Sequence, residues 1–219
     1  MITSCANAKV KQVIQWQNKA KERRSAGIFL TEGFKMFEEA PGESMQQIYL
    51  TEEALERVLR TGDPLLVVLE ELQDPGNLGT IIRTGEAAGV TGVIMSAGTV
   101  DLFNPKTIRA TMGSVFRVPF LYVDDLPQTV EQLRQGGISV YAAHLEGKTY
   151  YDDVSFLGPT AFLVGNEGNG LTEETASRAD RYLKIPMEGR IESLNAAVAA
   201  SLFMYETHRQ RSSSRTGGR

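Results

Sequence analysis

Short unbroken apolar runs alternate with helical patterns through most of this chain, and that alternation limits what it can fold into. The run Leu65 to Leu69 (LLVVL) is apolar at every position, as expected of a strand covered on both faces in a parallel sheet. Further strands are read at Gly92 to Ser96, Ile138 to Ala143, Ala161 to Val164 and Tyr182 to Ile185, with Val115 to Phe120 extended. Helices are read between them, at Leu78 to Ala88 with Asn77 as cap and Gly89 as stop, at Asn104 to Met112, and at Leu126 to Gln135. The pattern predicts an α/β unit with a mostly parallel sheet and helices on both faces.

A smaller α/β unit precedes it. Asn7 to Arg24 reads as an amphipathic helix, Ile28 to Leu30 and Gln47 to Leu50 as strands, and Glu32 to Glu39 and Thr51 to Arg60 as helices. Thr61-Gly62-Asp63-Pro64 marks the boundary. The domains expected are therefore an N-terminal unit over 1–62, the main unit over 63–208, and a polar, basic tail over 209–219 that reads as disordered.

Composition narrows the function. The chain has 219 residues, 42% hydrophobic and 23% charged, as in globular proteins. No apolar run approaches the roughly 20 residues of a membrane span. The N-terminus lacks a signal-peptide core, and Cys5 is the only cysteine, so a reducing cytoplasm is the expected location. With His144 and His208 isolated, no zinc set is expected. The net charge is −4, yet residues 1–25 carry Lys9, Lys11, Lys19, Lys21, Arg23 and Arg24 against Glu22 alone. Such a basic segment suits phosphate contacts, although a solvated helix face fits it equally.

Ligands of parallel α/β sheets bind beyond the carboxyl ends of the strands. Here those ends carry Gln73 to Gly79, His144 to Gly147, Gly165 to Gly170 and Pro186 to Asn195. The last loop leads from a strand end into an alanine-rich apolar run, Ala196 to Tyr205, with Ser193 or Asn195 as helix cap. An ordinary capped connection also fits that stretch. Gly165, Gly168 and Gly170 give G-x-x-G-x-G, the wrong order for a dinucleotide fingerprint, and no Walker A loop is present.

Four segments in one order carry a more specific signal: DPGNLGTIIRTGEAAG, NPKTIRATMGSVFRVP, VGNEGNGL and IPMEGRIESLNAAVAASLFMYE. They resemble the SpoU (TrmH) family of RNA ribose methyltransferases of the SPOUT class, over roughly Leu65 to Glu206. The resemblance implies a C-terminal trefoil knot, S-adenosylmethionine bound in it, an RNA substrate and a homodimer paired across the knot. It implies RNA 2′-O-methylation, with 23S ribosomal RNA favoured over transfer RNA because KERRSAGIFLTEGFKMFEEA is similar to the start of an L30-like RNA-binding domain. That domain is short here, with only about 60 residues before Leu65. The alternative from another class is a non-catalytic RNA-binding relative.

By that resemblance the cofactor is held at Gly165, Ile185 and Leu194. Glycine allows close backbone approach and apolar side chains can sandwich an adenine, although sheet packing needs the same residue types. The catalytic candidates are Arg83, Asn77, Glu167, Ser193 and Asn195. An arginine in an apolar helix is costly unless paired, and a buried salt bridge to Glu167 is the plain structural alternative, compatible with either role. Two roles stay open for Arg83: phosphate clamp stabilising a developing alkoxide, or acceptor of the hydroxyl proton once substrate is bound. A guanidinium, with pKa above about 12, makes the first easier. Asn77 and Asn195 can orient ribose or phosphate oxygens, and Ser193 can donate to substrate or cap its helix.

Overall fold

A computed structural model of the chain describes residues 8–30 and 63–216. The readings at Glu32 to Glu39, Gln47 to Leu50 and Thr51 to Arg60 lie outside the described residues.

All strand pairings in the main unit are parallel, in a seven-stranded sheet of order β3-β2-β1-β6-β4-β7-β5. The strands are β1 (Leu65–Leu69), β2 (Gly92–Ser96), β3 (Phe120–Val123), β4 (Ser139–Ala143), β5 (Thr149–Tyr150), β6 (Thr160–Val164) and β7 (Arg181–Lys184). The two central strands, β1 and β6, are buried at every position, which is why β1 throughout and β6 from Ala161 on read as apolar runs.

Helices cover both faces. On one, α3 (Pro75–Ala88) and α7 (Ala196–Thr216) pack Leu78, Ile81, Ile82, Phe203 and Met204 against Leu65, Val67, Val93 and Phe162. On the other, α5 (Leu126–Gln135) and α6 (Glu173–Ala176) pack Val130, Leu133 and Ala176 against Leu66, Val68, Ala161 and Leu163. The short α4 (Pro105–Thr111) lies so close to α3 that a Cβ at Gly79 would stand 2.7 Å from the Thr107 carbonyl.

Some elements differ from the sequence reading. The N-terminal helix is two, α1 (Ala8–Asn18) and α2 (Ala20–Ala26), broken at Lys19, whose backbone is extended. Ile28 to Leu30 forms no strand. Asn77 is not the cap of α3: the helix begins at Pro75, and the Asp74 side chain accepts from the Asn77 N–H at 2.9 Å. Proline at a first helical position costs no hydrogen bond, so Asp-Pro is the start signal. Ser114–Phe116 is a 3₁₀ turn, and the strand after it starts only at Phe120.

The tail is the largest correction. The reading of disorder from 209 on does not hold through 216, where α7 continues to Thr216, and residues 217–219 lie outside the described residues. Arg211 donates to four carbonyls, Phe156 at 3.0 Å, Asp63 at 2.7 Å, Pro64 at 3.3 Å and Gly158 at 2.7 Å. Gln210 accepts from the Phe156 N–H at 2.7 Å and donates to the Val154 carbonyl at 2.8 Å. Tertiary bonds thus order a segment whose composition alone does not favour a helix.

Candidate active site

The carboxyl ends of β1 and β6 are tied together before any ligand is considered. Glu70 follows β1 directly and is buried. Its carboxylate accepts from the Thr172 N–H at 2.7 Å, the Thr172 hydroxyl at 2.8 Å and the Thr175 hydroxyl. One carboxylate thereby anchors the segment following the second glycine-rich loop. That loop is shaped by Asn166, whose side-chain oxygen accepts from the Gly168 and Asn169 N–H groups at 2.8 and 3.1 Å. Gly165 has no room for a side chain, since a Cβ there would overlap the Gly170–Leu171 backbone. Its close approach is therefore to its own loop.

Glu167 is the centre of the site. One carboxylate oxygen accepts from the Gln73 N–H at 3.0 Å. The other accepts from the Asp74 N–H at 2.9 Å and the Asn77 side-chain amide at 2.9 Å. Asn77 in turn accepts from the Asn195 side-chain amide at 2.9 Å. Asn195 caps α7, accepting from the Ala197 and Val198 N–H groups at 2.9 and 3.3 Å. Glu167, Asn77 and Asn195 form one polar chain joining three segments far apart in sequence.

The electrostatics follow from these contacts. Partial burial raises the Glu167 carboxyl, but the Gln73 amide, the Asn77 side chain and the Asp74 amide outweigh it and hold the carboxyl below its ordinary value. Asp74 is also held low, chiefly by the Asn77 N–H and then by Lys106, whose ammonium lies 3.1 Å away.

Two candidates stand apart from this chain. Arg83 is exposed on α3 and pairs with nothing among the described residues, so the alternative reading of a buried salt bridge to Glu167 does not hold. Helix phase explains it: Ile81 and Ile82 turn into the core while Arg83 turns outward. Ser193 is exposed and makes no hydrogen bond among the described residues, and Asn195 takes the cap. Ile185 and Leu194 are half-buried at the two ends of the last loop. Among the described residues, no backbone group between Pro186 and Leu194 pairs with another, which leaves their N–H and C=O groups for other partners.

Sequence reasoning passed over Glu70, Gln73, Asp74 and Asn166. Glu70 had a usable signal, an acidic residue directly after a fully apolar strand. Gln73 and Asp74 act on Glu167 through backbone N–H groups, which leave no trace in residue type. Among the described residues no cluster of His, Cys, Asp and Glu is placed to hold a metal ion, and no helix is long and apolar enough to cross a membrane.

A parallel sheet with glycine-rich loops and a Glu-Asn-Asn chain at its carboxyl edge is the architecture of α/β proteins that bind ligands beyond the carboxyl ends of their strands. Residues 64–205 match the SpoU rRNA Methylase family, and the chain belongs to that family of RNA methyltransferases. It is 35% identical to the 23S rRNA (guanosine(2553)-2′-O)-methyltransferase RlmP of Bacillus subtilis, over 93% of this chain and 97% of that one. It superposes on the SpoU methyltransferase AviRb from Streptomyces viridochromogenes with a TM-score of 0.84 at 27% identity, covering 96% of this chain and 100% of that chain. The AdoMet-bound rRNA methyltransferase from Sinorhizobium meliloti superposes with a TM-score of 0.82 at 28% identity, covering 95% and 97%.

Proposed function

We propose that this chain transfers the methyl group of S-adenosylmethionine to a ribose 2′-hydroxyl of 23S ribosomal RNA. The observation that carries the reading is the Glu167–Asn77–Asn195 chain, because it unites three of the four segments that resemble the family. Near full-length similarity to RlmP supports the choice of ribosomal RNA.

The residues fit the cofactor. Ile185 and Leu194 offer apolar sides for an adenine, and the unpaired backbone of 186–194 offers donors and acceptors for its edge. Bound there, S-adenosylmethionine supplies an electrophilic methyl group on a sulfonium. Glu167 and Asn77 hold the β1–α3 loop and the Gly165–Gly170 loop in fixed relation, so neither needs to reorganise on binding. Arg83 faces solvent with its donors uncommitted, which suits a clamp on an RNA phosphate that also stabilises charge developing on the 2′-oxygen. Exposure of Ser193, with no hydrogen bond to another described residue, supports its role as a donor to the substrate.

The reading includes a methyltransferase unit over 63–208, an RNA-binding unit over 1–62, a C-terminal trefoil knot, a cytoplasmic location and a homodimer. In support of the knot, β7 lies inside the sheet between β4 and β5, and α7 then returns to pack on α3. In support of the dimer, α7 leaves Val198 and Tyr205 about half exposed, at 48% and 47%, with half-buried Leu202 on the same face. The test is calorimetric titration with S-adenosylmethionine, then transfer of labelled methyl to ribosomal and transfer RNA. Label in the 23S fraction at a ribose 2′-oxygen is expected. Label in transfer RNA alone would move the substrate, and absence of cofactor binding would remove the reading.

A further inference from the structure

Among the described cations of the basic N-terminal segment, Arg23 behaves unlike its neighbours. Lys11, Lys19, Lys21 and Arg24 are exposed, whereas Arg23 is 4% exposed. A guanidinium leaves water only where it is paired. One of its terminal nitrogens donates to the Trp16 and Gln17 carbonyls at 2.6 and 3.1 Å, at the carboxyl end of α1. The other is paired with the Asp101 carboxylate, in the loop after β2. A second contact supports the first: the Phe29 ring stacks on Phe103 at 4.9 Å between centroids and lies 5.9 Å from Phe116.

The receiving loop is stiff. The Tyr122 hydroxyl donates to the Val100 carbonyl at 2.7 Å and accepts from the Leu102 N–H at 2.9 Å. Asp101 also accepts from the Phe103 N–H at 3.0 Å. The loop is joined to the site as well. The Val100 N–H donates to the Leu72 carbonyl at 2.8 Å, and the Gln73 side chain donates to the Gly98 carbonyl at 2.9 Å. Gln73 is the residue whose N–H binds Glu167. An unbroken set of short contacts therefore runs from Arg23 through Asp101 and the β1–α3 loop to the centre of the site.

We propose that the Arg23–Asp101 pair is the joint that sets the basic arm α1–α2 at a fixed place beside the methyl-transfer site, so that RNA phosphates held on the arm bring the target ribose into register. Arg23 is then a positioning residue, and the RNA contacts on the arm fall to Lys11, Lys19, Lys21 and Arg24. This rests on the methyltransferase reading above.

The experiment uses the full chain with ribosomal RNA and three variants, Arg23→Met, Arg23→Lys and Asp101→Asn. Three quantities are read: cofactor Kd, KM for RNA, and kcat at saturating RNA. A joint predicts that Arg23→Met and Asp101→Asn raise the RNA KM about tenfold while cofactor Kd and saturated kcat stay within twofold, and that Arg23→Lys, which can still reach Asp101, recovers part of the loss. A merely structural role lowers Tm and weakens cofactor and RNA together, and that result overturns the proposal even if Arg23→Met alone fails to fold, because Asp101→Asn preserves the side-chain shape. An unchanged RNA KM in Asp101→Asn also overturns it. If the unaltered protein methylates no RNA, the methyltransferase reading fails instead, and the joint is judged by RNA affinity in filter binding, where the variants must still weaken it about tenfold.

Discussion

Glu167→Gln isolates the centre of the site. The carboxylate accepts three hydrogen bonds, from the Gln73 and Asp74 N–H groups and the Asn77 amide. Glutamine has the same shape but one acceptor and one donor. With its oxygen toward Asp74 and Asn77, its amide nitrogen faces the Gln73 N–H, donor against donor. A hydrogen bond to an ionised group contributes about 1.5–3 kcal/mol and a neutral one about 0.5–1.5 kcal/mol. A loss of about 1 kcal/mol at each contact makes roughly 3 kcal/mol, which water at this exposed residue reduces to about 1.5 kcal/mol. Two effects are expected: a Tm lower by roughly 3–6 °C for a chain of this size, and about tenfold weaker S-adenosylmethionine binding, because the two loops lose their fixed relation. Calorimetric titration and a thermal melt read both. The pH dependence gives a second reading. The folded-state pKa of Glu167 is depressed, so its contribution is present above the ordinary value of about 4.3 and is lost as pH falls through the folded value. The unaltered protein should therefore lose cofactor affinity in that acid range, and Glu167→Gln should not show that loss. A variant with cofactor affinity within twofold and an unchanged Tm would refute the reasoning.

Other outcomes are expected. Arg83→Ala should bind cofactor normally and lose methyl transfer by about a hundredfold or more, as for removal of a charge-stabilising donor; lost cofactor binding with an intact fold would place Arg83 in the cofactor pocket. Gly165→Ala must displace the Gly170–Leu171 backbone, so cofactor binding should fall at least tenfold in calorimetry and Tm should drop. Arg211→Ala removes donors from four carbonyls, and a cost of about 3 kcal/mol predicts a Tm lower by roughly 6–12 °C; a shift under about 2 °C would show the contacts to be incidental. Val198→Asp should convert the proposed dimer to a monomer in sedimentation, and a persistent dimer would exclude that face of α7.

The central strands were legible because burial on both faces favours continuous apolar runs, which β1 shows throughout and β6 shows from Ala161 on. Strand β5 was not, since Thr149–Tyr150 is too short to show a period. Helix α7 beyond Arg209 was hidden because its order comes from Arg211 and Gln210 gripping distant carbonyls, not from propensity. At the site, residue types at matched spacing located Asn77, Glu167 and Asn195, which the fold does join. The alternative pairing of Glu167 with Arg83 does not form, because Glu167 is held by the Gln73 and Asp74 N–H groups and the Asn77 side chain, and backbone donors leave no trace in residue type. The burial of Arg23 was also invisible, because its counter-charge, Asp101, lies 78 positions away.

The polar chain at the site has a consequence for how the protein comes into being. Its links span 90 positions, from Asn77 to Glu167, and 118, from Asn77 to Asn195. During synthesis, β1, α3 and β2 emerge early and can begin to pack, but a chain grown only through β6 still lacks the Asn195 link. The Glu167–Asn77–Asn195 chain closes only after the ribosome has made the sequence through the start of α7.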